Sequence, residues 1–295
     1  MIVVVNALLS TCDCNVRFSD PTDSILDVRY GAMSNDTFRE KLIATVGTHT
    51  DGRFTNRPMW VPTLTQEVNY WYKKPSIRPL NCSDSRGEDS VVLRSFFSTI
   101  HDKPIRRSFT FMEIGAYDGM EESNTFFFEK CLNWTGVLAE AHPRTFQRLL
   151  KSPRTVEKRH VAVCETPQLV TISRHDGTPA YIVTVDTRRG KLVDCLPMSR
   201  IVESYKRIDF LSLDVEGHEP QAIRSLGTQT SFGVIVVEVT VGARRIDTMS
   251  GMLERGFTYM GMINARPSPA NYVISDVYVN MTHMKTFVPD SRVVR

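Results

Sequence analysis

From about residue 88 to residue 280 the chain alternates short apolar runs with segments of helical spacing. Phe109–Ile114, the end of 155–163, Ile208–Leu213 and Gly233–Val239 read as strands, as does Gly136–Ala139. Gly233–Val239 (GVIVVEV) is almost continuously β-branched, the pattern of a central parallel strand covered on both faces. Between these runs lie helices. Asp89–Ile100 opens on a capping acid, Ser123–Leu132 turns Phe126–Phe128 inward, and Pro143–Leu150 carries proline in its first turn. Met198–Tyr205, Glu219–Ser225 and Ile246–Arg255 continue the series. Leu169–Ser173 and Ala180–Val185 alternate as a hairpin around Asp176-Gly177, and Gly256–Ile263 with Tyr272–Asn280 predict an antiparallel pair at the end of the sheet. Strands alternating with helices predict an α/β protein with a doubly wound, mostly parallel sheet and an antiparallel terminal strand pair.

Residues 1–87 lack this periodicity. Prolines and polar clusters recur, punctuated by Trp60, Tyr70, Trp71 and Tyr72, and Ser83–Glu88 reads as a linker. The expected organisation is an irregular N-terminal extension, 1–87, followed by one catalytic-type domain, 88–295.

Composition changes this picture little. Hydrophobic residues make up 41% and charged residues 23%, ordinary for a globular protein, and a net charge of +3 gives no footprint for nucleic acid. No apolar run reaches the roughly 20 residues of a membrane span. Ile2–Leu9 is apolar but lacks a basic flank, so it reads as a strand or as a shortened targeting segment. The six cysteines, Cys12, Cys14, Cys82, Cys131, Cys164 and Cys195, form no zinc or redox spacing. Buried free thiols are the expectation, with a Cys131–Cys164 disulfide as the alternative in a secreted protein. A soluble, cytoplasmic protein is expected. The four sequons at Asn35, Asn81, Asn133 and Asn280 point instead to a secretory route.

The candidate chemistry sits where the strands end. Phe109–Gly119 (FTFMEIGAYDG) is a strand ending in Glu113, then a glycine turn enclosing Asp118; a second strand ends in Glu140. A strand, a glycine loop and an acid on the next strand make a nucleotide cradle. The loop has no third glycine, and Asp118 stands where a pyrophosphate would lie, which points to a cationic or neutral adenosine ligand, S-adenosylmethionine first. Glu113, Gly115, Ala116, Asp118 and Gly119 are the expected loop contacts. There Glu113 and Asp118 either hold the loop's own amides or face the methionine ammonium. Asn124 is expected at the amino-acid end, Glu140 on the ribose hydroxyls and Ala162 against adenine. A second polar group, Asp214–Glu219 (DVEGHE), follows another strand. Asp214 is expected nearest the transferred methyl, with Glu216 or His218 as base. Glu238 ends the next strand and either completes the pocket or is a salt-bridged acid. Arg106–Arg107 and Arg244–Arg245 are expected as solvated charge. No metal is expected.

Met112–Leu149, His160–Cys164, Asp209–Glu219 and Val234–Glu238 together resemble the FkbM methyltransferase family, in order and at sensible spacings. The resemblance runs from about Phe109 to about Asn280. It implies a Rossmann-like class I methyltransferase fold, S-adenosylmethionine as cofactor, and O-methylation of a hydroxyl on a sugar, glycan or small metabolite. By position it assigns the cofactor loop to Glu113, Gly115, Asp118 and Gly119, the ribose acid to Glu140 and the post-strand acid to Asp214. His142 departs from the family, which often has asparagine in that turn. The alternative from another class is a catalytically idle domain of this fold serving as an interaction module.

Overall fold

The computed structural model describes residues 88–97, 109–172, 182–183, 192–239, 243–264 and 274–285. The expected extension, 1–87, lies outside them. Eleven strands occur among the described residues: β1 (Thr110–Ile114), β2 (Thr135–Glu140), β3 (Glu157–His160), β4 (Ala162–Val163), β5 (Gln168–Ile172), β6 (Ile182–Val183), β7 (Leu192–Leu196), β8 (Arg207–Leu213), β9 (Ser231–Val239), β10 (Thr258–Asn264) and β11 (Ile274–Val279). The helices are α1 (Glu88–Val92), continued by a π-helical turn at Leu93–Phe97, then α2 (Phe126–Leu132), α3 (Pro143–Lys151), α4 (Met198–Ile201), α5 (Glu219–Arg224), α6 (Ala243–Glu254) and α7 (Met281–Lys285).

A seven-stranded sheet runs in the order β3-β2-β1-β8-β9-β11-β10. Its first five strands pair in parallel, and β11 enters antiparallel between β9 and β10. This is the expected doubly wound sheet with its antiparallel terminal pair, the Rossmann-like methyltransferase arrangement. The order reverses at β1, which lies between β2 and β8, and that switch point opens a crevice at the carboxyl ends of the strands.

Strand alternation divides the core into two layers. Met112, Val137, Leu211 and Ile235 bury on one face of the sheet. Phe111, Leu138, Phe210 and Val234 bury on the other. α2 is docked by aromatic contact: Phe128 lies 5.2 Å from Phe210 and 4.7 Å from Trp134, centroid to centroid. A fully buried phenylalanine contributes about 1.5–3 kcal/mol, so this short helix is held by its face rather than by its propensity.

Several expectations are corrected here. The third strand stops at His160, and β4 leaves it for a second, four-stranded sheet, β4-β7-β5-β6. β5 and β6 do pair antiparallel, through Thr171↔Val183 and Ile172↔Ile182. One of the two inner strands of that sheet is β7, which the sequence reading omitted although its burial alternates along Leu192–Leu196. Cys164 is bonded to Cys195 rather than to Cys131, with 5.4 Å between Cα atoms. Cys131 is itself disulfide-bonded, so the expected free thiols are not found among the described residues. The Cys164–Cys195 pair follows from register: Ala162 lies opposite Cys195, and the Cys164 N–H donates to the Leu196 carbonyl at 3.0 Å. Arg245 is not solvated. It makes a bidentate pair with Asp276, at 2.7 and 2.8 Å, inside the core beside Tyr259. Arg244 is exposed, as expected, and Arg106–Arg107 lie outside the described residues.

Candidate functional site

The loop after β1 doubles back on itself. Gly115 and Gly119 take φ of +80° and +78°, the left-handed region that glycine enters without strain. Gly115 is required for a further reason. A Cβ there would stand 1.9 Å from the Asp214 carbonyl oxygen, so only a bare glycine lets the β1 and β8 loops meet. The Gly115 and Ala116 N–H groups both donate to the Ala139 carbonyl, at 3.0 and 3.1 Å, which ties the loop to β2 as well.

Glu113 and Asp118 hold the loop's own groups. Glu113 Oε1 accepts the Asn124 N–H at 2.7 Å, and its Oε2 accepts the Ser123 and Thr125 hydroxyls at 2.8 and 2.6 Å. Asp118 Oδ1 accepts the Met120 and Glu121 N–H groups at 2.9 and 2.8 Å, an Asx turn. Ala116 is buried in the aromatic core layer.

Glu140 meets this loop from β2. Its Oε2 accepts the Tyr117 N–H at 2.8 Å, while Oε1 accepts the His142 N–H at 2.7 Å and the Thr145 hydroxyl at 2.8 Å. A carboxylate offers about four lone-pair positions, so three protein donors leave room for a ligand hydroxyl. Burial pushes the Glu140 carboxyl up, and those three donors only partly offset it. His142 caps α3, its Nδ1 accepting the Arg144 N–H. Ala162 is packed into the core of the small sheet with Cys164, Val170 and Val193, so its side chain is committed there.

A pocket lies where β1, β8 and β9 end, lined by Glu88, Glu113, Ile114, Gly115, Glu122, Asn124, Ser212, Asp214 and Glu238. Register explains the central pair: Leu213 lies opposite Val237, so Asp214 and Glu238 follow side by side. The Asp214 carboxyl is pushed well up, first by burial, then by the charge of Glu238 and a hydrogen bond to it, then by Glu219. Two carboxyl groups joined by a hydrogen bond must share a proton. Asn124 Nδ2 donates to Ser212 Oγ at 3.0 Å, and its Oδ1 is buried without a partner.

Glu216 and His218 shape the turn after Asp214 and are not among the pocket's lining residues. Glu216 takes φ of 52° and Gly217 of +99°, and Glu219 Oε1 accepts the Gly217 N–H at 2.9 Å. His218 precedes α5 without a side-chain cap bond; burial and then the Arg244 charge hold its pKa below the usual imidazole value.

Two residues escaped the sequence reading. Glu88, only 4% exposed, reaches the pocket from α1 and accepts the Ser275 hydroxyl at 3.1 Å. Arg154 lies under the loop. It donates to the Gly119 carbonyl at 2.8 Å and to the Ser123 and Thr125 hydroxyls at 3.0 and 2.8 Å, and it pairs with Glu129. Its signal is faint, because an arginine after Ser152-Pro153 reads as surface charge.

Residues 113–259 match the family model of the Methyltransferase FkbM domain. The segment belongs to the FkbM methyltransferase family. Glu88 therefore reaches the pocket of the FkbM domain from outside the matched segment. Among solved structures, methyltransferase FkbM from Methylobacillus flagellatus KT is 14% identical with a TM-score of 0.42, covering 66% of this chain and 48% of that one. The chain thus spans about half the length of that protein. The O-methyltransferase from Bacillus cereus, solved with SAH, is 13% identical with a TM-score of 0.38 over 81% of this chain and 97% of that one. Precorrin-6y C5,15-methyltransferase from Geobacter metallireducens GS-15 is 12% identical with a TM-score of 0.39 over 70% and 92%. No curated protein matches the sequence.

Proposed function

We propose that this FkbM domain is an S-adenosylmethionine-dependent methyltransferase that methylates a hydroxyl oxygen of a small-molecule or glycan acceptor. The observation that carries the reading is the Glu140 carboxylate, held 2.8 Å from the Tyr117 amide of the glycine loop with acceptor capacity to spare. A ribose diol suits that remaining capacity. The rest of the cradle fits the same ligand: a bare Gly115 against Asp214, an unpartnered Asn124 Oδ1, and an acid-lined pocket that favours a cation over a pyrophosphate.

When bound, S-adenosylmethionine supplies an electrophilic methyl group on a sulfonium. Gly115–Gly119 would carry its amino-acid end, Asn124 would meet that end's polar groups, and Glu140 would grip its ribose. Asp214 lies two strand spacings from Glu140, about 10 Å, a span that an adenosine-bearing ligand bridges. The in-line displacement needs alignment, exclusion of water and a place for the hydroxyl proton. Asp214, paired with Glu238, is our candidate for that place, since both line the pocket. Glu216 and His218 would set the turn that aims Asp214.

Calorimetric titration with S-adenosylmethionine and its demethylated product, followed by transfer of isotopically labelled methyl to a panel of polyols and glycans, tests the reading. Binding of both ligands with label on an oxygen is expected. Absence of binding would leave an interaction module; label on nitrogen would overturn the acceptor class.

A further inference from the structure

We propose that Asn133 carries an N-linked glycan and that the chain matures in an oxidising, glycosylating compartment. The inference is independent of the proposed methyl transfer. It rests on the surface around α2 and on the cysteines.

Asn133-Trp134-Thr135 is a sequon whose three residues are placed as a glycan site needs them. Asn133 is the residue after α2, in the left-handed region with φ of 55°, and it is exposed. The end of the helix is closed by its backbone N–H, which donates to the Phe128 carbonyl. Trp134 is buried, 3% exposed, stacked on Phe109 at 4.9 Å and against Phe97 and Phe128, so the turn is pinned beneath Asn133. Thr135 is exposed at the first position of β2. This is the amino end of the parallel strands, whereas the acid-lined pocket is at their carboxyl ends. A glycan here leaves the pocket open.

Asn280 makes an internal contrast. It also heads a sequon, Asn280-Met281-Thr282, but it is half-buried, and its Oδ1 accepts the Thr282 and His283 N–H groups at 3.1 Å each to cap α7. Its side chain is committed to the fold. The other two sequons, at Asn35 and Asn81, lie outside the described residues.

The cysteines supply the second observation. Cys164–Cys195 closes the small sheet, and Cys131, two residues before Asn133, is also disulfide-bonded. Disulfides of this structural kind persist in the secretory route and not in a reducing cytosol. The same compartment holds the glycan donor, a lipid-pyrophosphate-linked oligosaccharide. In the step, Asn133 Nδ2 forms a bond to the anomeric carbon of the first sugar. The bond from that carbon to the phosphate oxygen breaks, and the lipid pyrophosphate leaves with its electron pair and, in sum, the amide proton.

The test is expression of the full chain, with its own N-terminus, in animal cells, then release by peptide-N-glycosidase in heavy-oxygen water and peptide mass spectrometry. Isotope-labelled aspartate at 133 is expected, with residue 280 remaining asparagine. Thr135→Ala should remove the label at 133, and Thr135→Ser, which preserves the sequon, should retain it, so a folding defect is separable from loss of the signal. An unlabelled Asn133 in the wild-type chain, or label at 280 in its place, would overturn the proposal. So would a chain recovered from the cytosol with Cys164 and Cys195 alkylated as free thiols.

Discussion

Replacing Arg154 by methionine isolates the element that holds the glycine loop in place. The side chain is completely buried, with aromatic rings near its guanidinium at 5.5 Å (Phe111) and 5.6 Å (Phe126). The substitution removes the donors to the Gly119 carbonyl, Ser123 and Thr125, and it strands Glu129. Breaking a buried ion pair by removing one partner costs about 3–5 kcal/mol. Here Glu129 keeps the Thr155 N–H and hydroxyl at 2.7 and 2.9 Å, and Lys130 Nζ lies 3.7 Å away, so its charge is not left bare. That places the loss at the lower end, about 3 kcal/mol, a large part of a typical stability of 5–15 kcal/mol. The assay is urea unfolding of Arg154→Met, Glu129→Gln and the double variant. Glu113, 3.7 Å from Arg154, loses that counter-charge in both Arg154→Met and the double variant, but only Arg154→Met strands Glu129, so the double variant should be at least about 1 kcal/mol more stable than the sum of the singles predicts.

The same variant has a pH signature. Burial alone would raise the Glu129 pKa, but the Arg154 charge and the bonds from Arg154 and Thr155 bring it below the usual 4.5. A depressed carboxyl contributes stability present above its unfolded pKa and lost as pH falls through the folded one. Without Arg154, burial dominates and the pKa rises. The carboxyl then favours the fold at low pH and opposes it as pH climbs through the new value. The destabilisation by Arg154→Met should therefore be small near pH 4 and grow towards neutrality. A loss below about 1 kcal/mol, or one that is flat with pH, would refute the assignment of Arg154 as the buried counter-charge.

Gly115→Ala should lose cofactor binding in calorimetry and lower the urea midpoint, because the clash is with the Asp214 backbone carbonyl and no side chain can rotate away. Reducing Cys164–Cys195, or replacing it by serines, should cost about 2–4 kcal/mol in urea unfolding, the usual range for a disulfide with a sequence separation of 31 residues. Asp214→Asn should lose methyl transfer yet gain about 0.5–2 kcal/mol of stability near pH 8. Its raised carboxyl favours the fold only while protonated, so the gain should vanish in acid. In the wild type, kcat/KM should fall as pH drops through that raised value, and Glu238→Gln should move the limb to lower pH by removing the neighbouring charge.

The seven-stranded sheet was legible because parallel strands covered on both faces are nearly continuous apolar runs, as Val234–Val237 is and as Phe210–Leu213 is but for Ser212. The cradle was legible for a related reason: Glu113, Gly115, Glu140 and Asp214 each lie at the end of such a run. The small sheet was less so. β4 has only two residues and β6 two, too short for any periodicity, and Cys164 meets Cys195 only because β4 and β7 pair in parallel across a long connection. Glu88 and Arg154 were invisible for a third reason. Glu88 reaches the pocket, and Arg154 the loop, from segments remote in sequence, and a lone charged residue carries no spacing from which to read its partner.

The placement of donors says where the ligand's charge belongs. Beneath the loop every acid has its answer within the protein: Glu129 has Arg154 and Thr155, and Glu113 has Ser123, Asn124 and Thr125. At the mouth of the crevice carboxylates gather. Asp214 faces Glu238, whose charge helps push its carboxyl up, Glu88 accepts the Ser275 hydroxyl, and Glu122 adds a further carboxylate to the lining. Asp214 and Glu238, facing one another, oppose folding at neutral pH, which is the usual condition of a site held ready for something else. A sulfonium and an ammonium on one ligand would bring positive charge to the Asp214–Glu238 pair. If the acids serve that ligand, saturating S-adenosylmethionine should raise the unfolding midpoint more at pH 8 than at pH 5, because only the ionised pair attracts it. A shift independent of pH would mean that the crevice acids serve the acceptor alone.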